Sequence, residues 1–259
     1  MIRALAVVLL MMSHLAYGMC SKELIVRSSA ELGYAIDWGD LENHDPDAGE
    51  VEVHKFYACK MLPNRNIAVI AFATVNEKLT KAYDLHADGG EIYDLVVVAI
   101  DTRTVKQIAK NIVSGALESN AVALRSLAVD TGRYYLEEGS VVFGIRANTA
   151  SNSHAYIYNE EKLFLYKLRR GNLAVILKGL DVKITSVNIE ENPEENVSHY
   201  SKSILSVSPH VTNGMHDLEV LEKNSDEMPE VGESKTFRPA QVRKLTLKYD
   251  GNLYSIPKH

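Results

Sequence analysis

The chain has 259 residues, 46% hydrophobic and 24% charged, enough apolar sequence to bury a sizeable core and too much for a disordered or collagen-like polymer. Acidic residues outnumber basic ones, 34 to 28, for a formal net charge of −6. With no basic run longer than Arg169-Arg170, the linear sequence offers nucleic acid or an anionic membrane surface no electrostatic foothold.

The N-terminus differs from the rest. Arg3 supplies a positive charge, residues 4–12 are apolar without a break, and Ala16 and Gly18 place small residues before a cleavage point, the pattern of a secretory signal. Ser13 and His14 interrupt the run well short of the roughly 20 residues that span a bilayer. This predicts a signal peptide over 1–18, a mature chain 19–259 that is periplasmic or secreted, and no transmembrane segment.

The cysteines are Cys20 and Cys59, and a pair in an oxidising compartment is expected to form one disulfide. Lipidation of Cys20 competes with that reading, but Met19 is bulkier than the residue that normally precedes a lipidated cysteine. Trp38, the sole tryptophan, reads as a half-buried anchor in preference to a binding-surface residue. The acidic loop 43–50 misses the calcium-loop spacing of an EF-hand and reads as a solvated turn.

From residue 51 onward, short runs rich in β-branched and aromatic residues are cut by turn residues at close spacing. Candidate strands are 51–58, 67–74, 94–101, 124–130, 140–146, 154–158, 162–169, 173–177, 182–189, 202–207, 217–221, 244–249 and 253–256. The stretch 105–124 carries Ile108, Ile112, Ala116 and Leu117 near helical spacing, weakened by Gly115; a strand over 105–112 followed by a loop is the preferred reading. Apolar residues on both faces of 162–169 and 173–177 place that hairpin centrally in a sheet. At the C-terminus, 244–249 alternates, Asp250-Gly251 signals a two-residue turn and 252–256 returns. That register sets Tyr249 opposite Asn252, Leu247 opposite Tyr254 and Leu245 opposite Ile256.

The expected fold is therefore all-β: an antiparallel, hairpin-rich sandwich or a small β-propeller, with at most one short helix after the signal peptide. The propeller alternative rests on two similar phrases, one strand running into Asp101-Thr102 and another into Asp130-Thr131. No Gly/Ser or Pro linker divides the chain, so 19–259 reads as a single domain with a weak boundary near 116–120.

The segment from Leu127-Ala128-Val129-Asp130-Thr131-Gly132-Arg133-Tyr134 through Val142-Phe143-Gly144-Ile145-Arg146, with Glu161-Lys162-Leu163-Phe164-Leu165-Tyr166 and the closing Leu247-Lys248-Tyr249-Asp250-Gly251-Asn252-Leu253-Tyr254, resembles a group of uncharacterised, exported β-rich proteins of Gram-negative bacteria. The resemblance covers about the C-terminal half and rests on structural residues. It implies a location in a bacterial envelope and carries no activity or site to any residue.

Chemical motifs are absent where they would be diagnostic. There is no Gly-x-Ser-x-Gly elbow, no phosphate-cradling glycine loop and no paired-histidine zinc helix. His210, His216 and Asp217 form the densest titratable cluster, read as an exposed loop over 208–216 closed by Asn213-Gly214. Glu137-Glu138, Glu160-Glu161 and Glu190-Glu191 read as solvated loop charges, although a glycosidase pair is set by spatial separation and not by spacing. No residue is assigned to catalysis, a cofactor or a metal. The leading expectation is a non-catalytic envelope protein that binds a protein partner, such as an inhibitor or immunity-type protein against an envelope-acting enzyme. An envelope hydrolase or glycan-processing enzyme with paired carboxylates, and a structural envelope component, are the alternatives.

Overall fold

Eleven strands and a short helix make up the bulk of the computed structural model, which describes residues 20, 21, 23–25, 27, 56–63, 65–85, 89–151, 153, 156–188, 197–227 and 240–257. Strands β1 (Tyr57–Met61), β2 (Ile67–Val75), β3 (Glu91–Asp101) and β4 (Lys106–Ser119) form one sheet in that order. Strands β5 (Val122–Asp130), β6 (Val141–Ser151), β7 (Tyr156–Arg169), β8 (Asn172–Asn188), β9 (Val197–Thr212), β10 (Met215–Glu227) and β11 (Gln241–Leu247) form a second, again in chain order. All pairings are antiparallel. Helix α1 (Glu77–Ala82) joins β2 to β3. Its N-cap is Asn76, which accepts from the Leu79 N–H, with Glu77 in the first turn and Lys81 in the last, the arrangement that best satisfies helix ends. A further helical piece takes in Glu23, Leu24, Ile25 and Arg27.

The two sheets pack face to face as a sandwich. Val69, Ala71, Leu95 and Val97 from the four-stranded sheet meet Phe143, Ile145, Phe164 and Tyr166 from the seven-stranded one in a single cluster. The Phe143 and Tyr166 rings stack at 5.9 Å within it. A second core forms on the opposite face of the same central strands. β8 pairs with β9 only from Lys183 to Asn188; beyond that, β9 to β11 leave the plane. Met215, Leu218, Val220 and Leu247 then pack with Leu163, Leu165, Ile176 and Leu177. Over Leu163, Phe164, Leu165 and Tyr166, β7 is therefore buried on both faces, as the doubly apolar pattern of 162–169 predicts. The C-terminal segment closes this layer: the Tyr254 N–H donates to the Ile176 carbonyl at 2.7 Å, and Asn213 Nδ2 to the Tyr249 carbonyl at 2.8 Å.

A sandwich built from two meanders leaves no place for propeller blades. The likeness between the two Asp-Thr phrases has a local cause: Asp101 Oδ1 accepts from the Arg103 and Thr104 N–H groups, and Asp130 Oδ1 accepts from the Gly132 N–H. Both are side-chain-mimicked turns that many β chains use.

Several elements run further than their sequence pattern. The strand expected over 105–112 continues to Ser119, because a bulge opposite Asp94 absorbs Gly115, whose φ is +60°. The described part of the first run, 156–158, and 162–169 belong to one strand, as do 173–177 and 182–188, with bulges between the runs. The stretch 208–216 is the tip of the β9–β10 hairpin and not a loop, with Asn213 and Gly214 both at positive φ as a tight hairpin turn requires. The C-terminal return is also wider than expected. Tyr249 faces Tyr254, because Asp250 Oδ1 accepts from both the Asn252 and Leu253 N–H groups and opens the turn to four residues.

Cys20 and Cys59 are joined in a disulfide with Cα atoms 5.7 Å apart, the pairing expected from an oxidising compartment. No helix among the described residues is long and apolar enough to cross a membrane. The expected signal segment 1–18, Trp38, the acidic loop 43–50 and Glu190-Glu191 lie outside the described residues.

Candidate binding groove

The β7 alternation puts Tyr156, Tyr158, Glu160, Lys162 and Phe164 on one face. This face and the second half of β4 bound an open groove of about 800 Å³, with Ala147 and Thr149 of β6 and Lys178 and Gly179 of β8 completing its lining. Phe164, Ala147 and Thr149 are buried, whereas Tyr156 keeps 41% of its surface exposed.

The β4 wall is set by one polar node. The Gly115 N–H donates to Asp94 Oδ1 at 2.8 Å, and Asn76 Nδ2 donates to the same oxygen at 2.8 Å and to Ser114 Oγ at 3.1 Å. A Cβ at Gly115 would come within 2.9 Å of Leu79 Cδ1, so the bulge needs glycine for space as well as for its positive φ. The groove wall and the α1 cap thus share Asn76.

One ion pair lies on the β7 side of the groove, and the Glu118 carboxylate on the β4 side accepts from a neutral amide. Lys162 Nζ lies 2.8 Å from Glu160 Oε2 and 4.0 Å from Asp181 Oδ1, and Asn120 Nδ2 donates to Glu118 Oε1 at 2.7 Å. Tyr156 and Tyr158 stack at 6.0 Å with 20° between their planes. Burial, and then the neighbouring Glu160 carboxylate, push the Tyr158 phenol up to about 12, so it stays protonated at physiological pH with Glu160 as its acceptor. The surface therefore offers an aromatic shelf beside the Lys162–Glu160 ion pair.

Of the doublets read as loop charges, Glu138 is an exposed turn residue, whereas Glu137, Glu160 and Glu161 are ion-paired. Glu160 and Glu161 lie within β7 and point to opposite faces: Glu160 faces the groove, and Glu161 Oε1 accepts from Arg146 Nη1 at 2.5 Å. Glu137 binds Lys167 at 3.1 Å and Arg169 at 2.6 Å. His210 is exposed, and the His216 Nδ1–H donates to the Ser208 carbonyl at 2.9 Å. Asp217 is buried. No group of three or more His, Cys, Asp or Glu among the described residues could hold a metal ion. Sequence reasoning passed over Tyr156 and Tyr158; aromatic residues at period two on a strand otherwise rich in polar residues are the signal that marks them.

Arg146 also anchors the turn after β5. Its Nε donates to Asp130 Oδ2 at 2.8 Å, and Tyr134 Oη donates to the same carboxylate oxygen at 3.0 Å. Burial works against ionised Asp130, but Arg146 and the Gly132 N–H outweigh it and hold the carboxyl below its ordinary range. A carboxylate whose folded pKa lies below its unfolded value, about 3.9, stabilises the fold above that value and loses the contribution as pH falls through the folded one. Asp130→Asn is expected to cost about 2 kcal/mol at neutral pH, less than a fully buried pair because the site is partly solvated. It should also flatten the fall in stability below about pH 4, read from denaturant midpoints across a pH series.

The fold and groove together define an antiparallel β-sandwich with an open cleft lined by a tyrosine stack and a Glu160–Lys162 ion pair. Comparison with known proteins returned no matching family model, no matching curated protein and no matching solved structure.

Proposed function

We propose that this chain is a non-catalytic binding protein of the bacterial envelope, of the inhibitor or immunity type, whose groove receives a surface of an envelope-acting enzyme. The observation that carries the reading is the tyrosine stack on β7, with Tyr156 water-exposed, beside the Glu160–Lys162 ion pair. Acid–base catalysis calls for a carboxyl free to exchange a proton at the reacting bond, whereas Glu160, the carboxylate on the β7 side of the groove, is held by Lys162. Recognition rewards the opposite arrangement, with rigid aromatic anchors and satisfied polar groups on a stiff scaffold. The net charge of −6 suits a basic target. The disulfide fits an oxidising compartment, and export through the 1–18 signal remains part of the proposal.

The test is capture from envelope extract by the immobilised chain over a range of salt. A discrete partner is expected, and Tyr156→Ala should weaken its binding by tenfold or more, on the order of a small hot-spot loss, while the far-ultraviolet circular dichroism stays unchanged. Capture of no partner at any ionic strength would remove the reading.

A further inference from the structure

Strand pairing assembles a basic row that is invisible in the linear sequence. Lys183 of β8 sits directly opposite Lys202 of β9, and Lys202 directly opposite Lys223 of β10. Residues paired in this way share a sheet face, so the lysines stand side by side over about 10 Å. All three are exposed, and none makes an ion pair among the described residues. The acid opposite Lys183 is Glu161, which is taken by Arg146. Lys244, one row further along the same face, is held by Glu219 at 3.0 Å.

Like charges directly opposite one another destabilise a sheet, and an exposed face could carry any polar residue in their place. The surroundings narrow what would offset the repulsion. The adjacent row is Thr185, Tyr200 and Ser225, and Ile204 and Val242 border the lysines on the other sides. Tyr200 is 38% exposed, Ile204 46% and Val242 59%. Uncompensated positive charge is thus interleaved with hydroxyls and water-exposed apolar side chains on a sheet face.

We propose that this face docks on the headgroup plane of an anionic lipid bilayer. Lysines meet lipid phosphates while Tyr200, Ile204 and Val242 enter the interfacial layer. A hydrated soluble polyanion would satisfy the lysines and leave the apolar side chains in water. The acidic remainder of the chain does not oppose docking strongly, because charges more than about 8 Å away are screened at physiological salt. The inference is independent of the groove reading. Tyr158, which lines the groove, is in register with Ser186, His199 and Asp226, on the opposite face of these strands. A membrane-docked chain would therefore keep its groove open.

The experiment is co-sedimentation of the full chain with vesicles of phosphatidylglycerol and phosphatidylcholine, against phosphatidylcholine alone. Salt-sensitive binding to the anionic vesicles only is expected. The triple variant Lys183→Gln/Lys202→Gln/Lys223→Gln should bind on the order of a hundredfold more weakly. It should also unfold at the same or a slightly higher temperature, since the repulsion is gone, which separates lost docking from lost folding. Tyr200→Ser should weaken vesicle binding several-fold, and Lys106→Gln, on another sheet, should leave it unchanged. Absence of binding to anionic vesicles at low salt, or wild-type affinity in the triple variant, would overturn the proposal. Binding to soluble polyphosphate without binding to vesicles would overturn the bilayer as the occupant.

Discussion

Phe143→Ala is expected to lower the unfolding free energy by about 4 kcal/mol, the range for truncating a fully buried aromatic side chain. Phe143 has no exposed surface, stacks on Tyr166 and belongs to the cluster shared by both sheets. The surroundings are strands hydrogen-bonded along their length, so they can close little of the cavity left behind. Urea unfolding followed by far-ultraviolet circular dichroism measures the loss. A loss under about 1 kcal/mol, typical of a surface substitution, would mean that the sheets do not rely on a common core.

Removal of the disulfide is expected to cost a similar amount. The Cys20–Cys59 bridge closes a separation of 39 residues, and constraining a loop of that length in the unfolded chain contributes about 4 kcal/mol by the chain-entropy argument. The bridge also ties the segment beginning at Cys20 to β1, an edge strand of the four-stranded sheet, where an untethered edge would be open to pairing with another chain. Cys20→Ser/Cys59→Ser should show the lowered denaturant midpoint without reductant, and the wild-type protein should reach the same midpoint only in its presence. Equal midpoints for oxidised and reduced wild type would show that the bridge contributes nothing to stability.

Legibility followed the range of the interaction. Turns governed by one side chain were partly readable. Asp250-Gly251 marks a reversal, but the second N–H accepted by Asp250 moves the register by widening the turn, and no dipeptide rule contains that bond. Strand lengths were underread where polar residues interrupt an apolar run, as at Asn159-Glu160-Glu161, because the backbone ladder pairs through polar residues as readily as apolar ones. Helix α1 had a readable start in Asn76 followed by Glu77, yet six residues are too few to show a period.

The all-β class, the central place of the β7–β8 hairpin and the cysteine pairing were within reach of composition, alternation and simple counting, because each depends on neighbours along the chain or on having a single partner available. The groove, the Asp130–Arg146–Glu161 network and the lysine row were not. Their members are 15 or more positions apart, or sit on strands brought together by register, as Arg146 and Glu161 are. Bulges shift that register one residue at a time, and each shift exchanges which face a side chain occupies. Pairing across strands is what turned dispersed lysines into a row, and sheet packing against β4 is what turned two tyrosines of one strand into a groove wall.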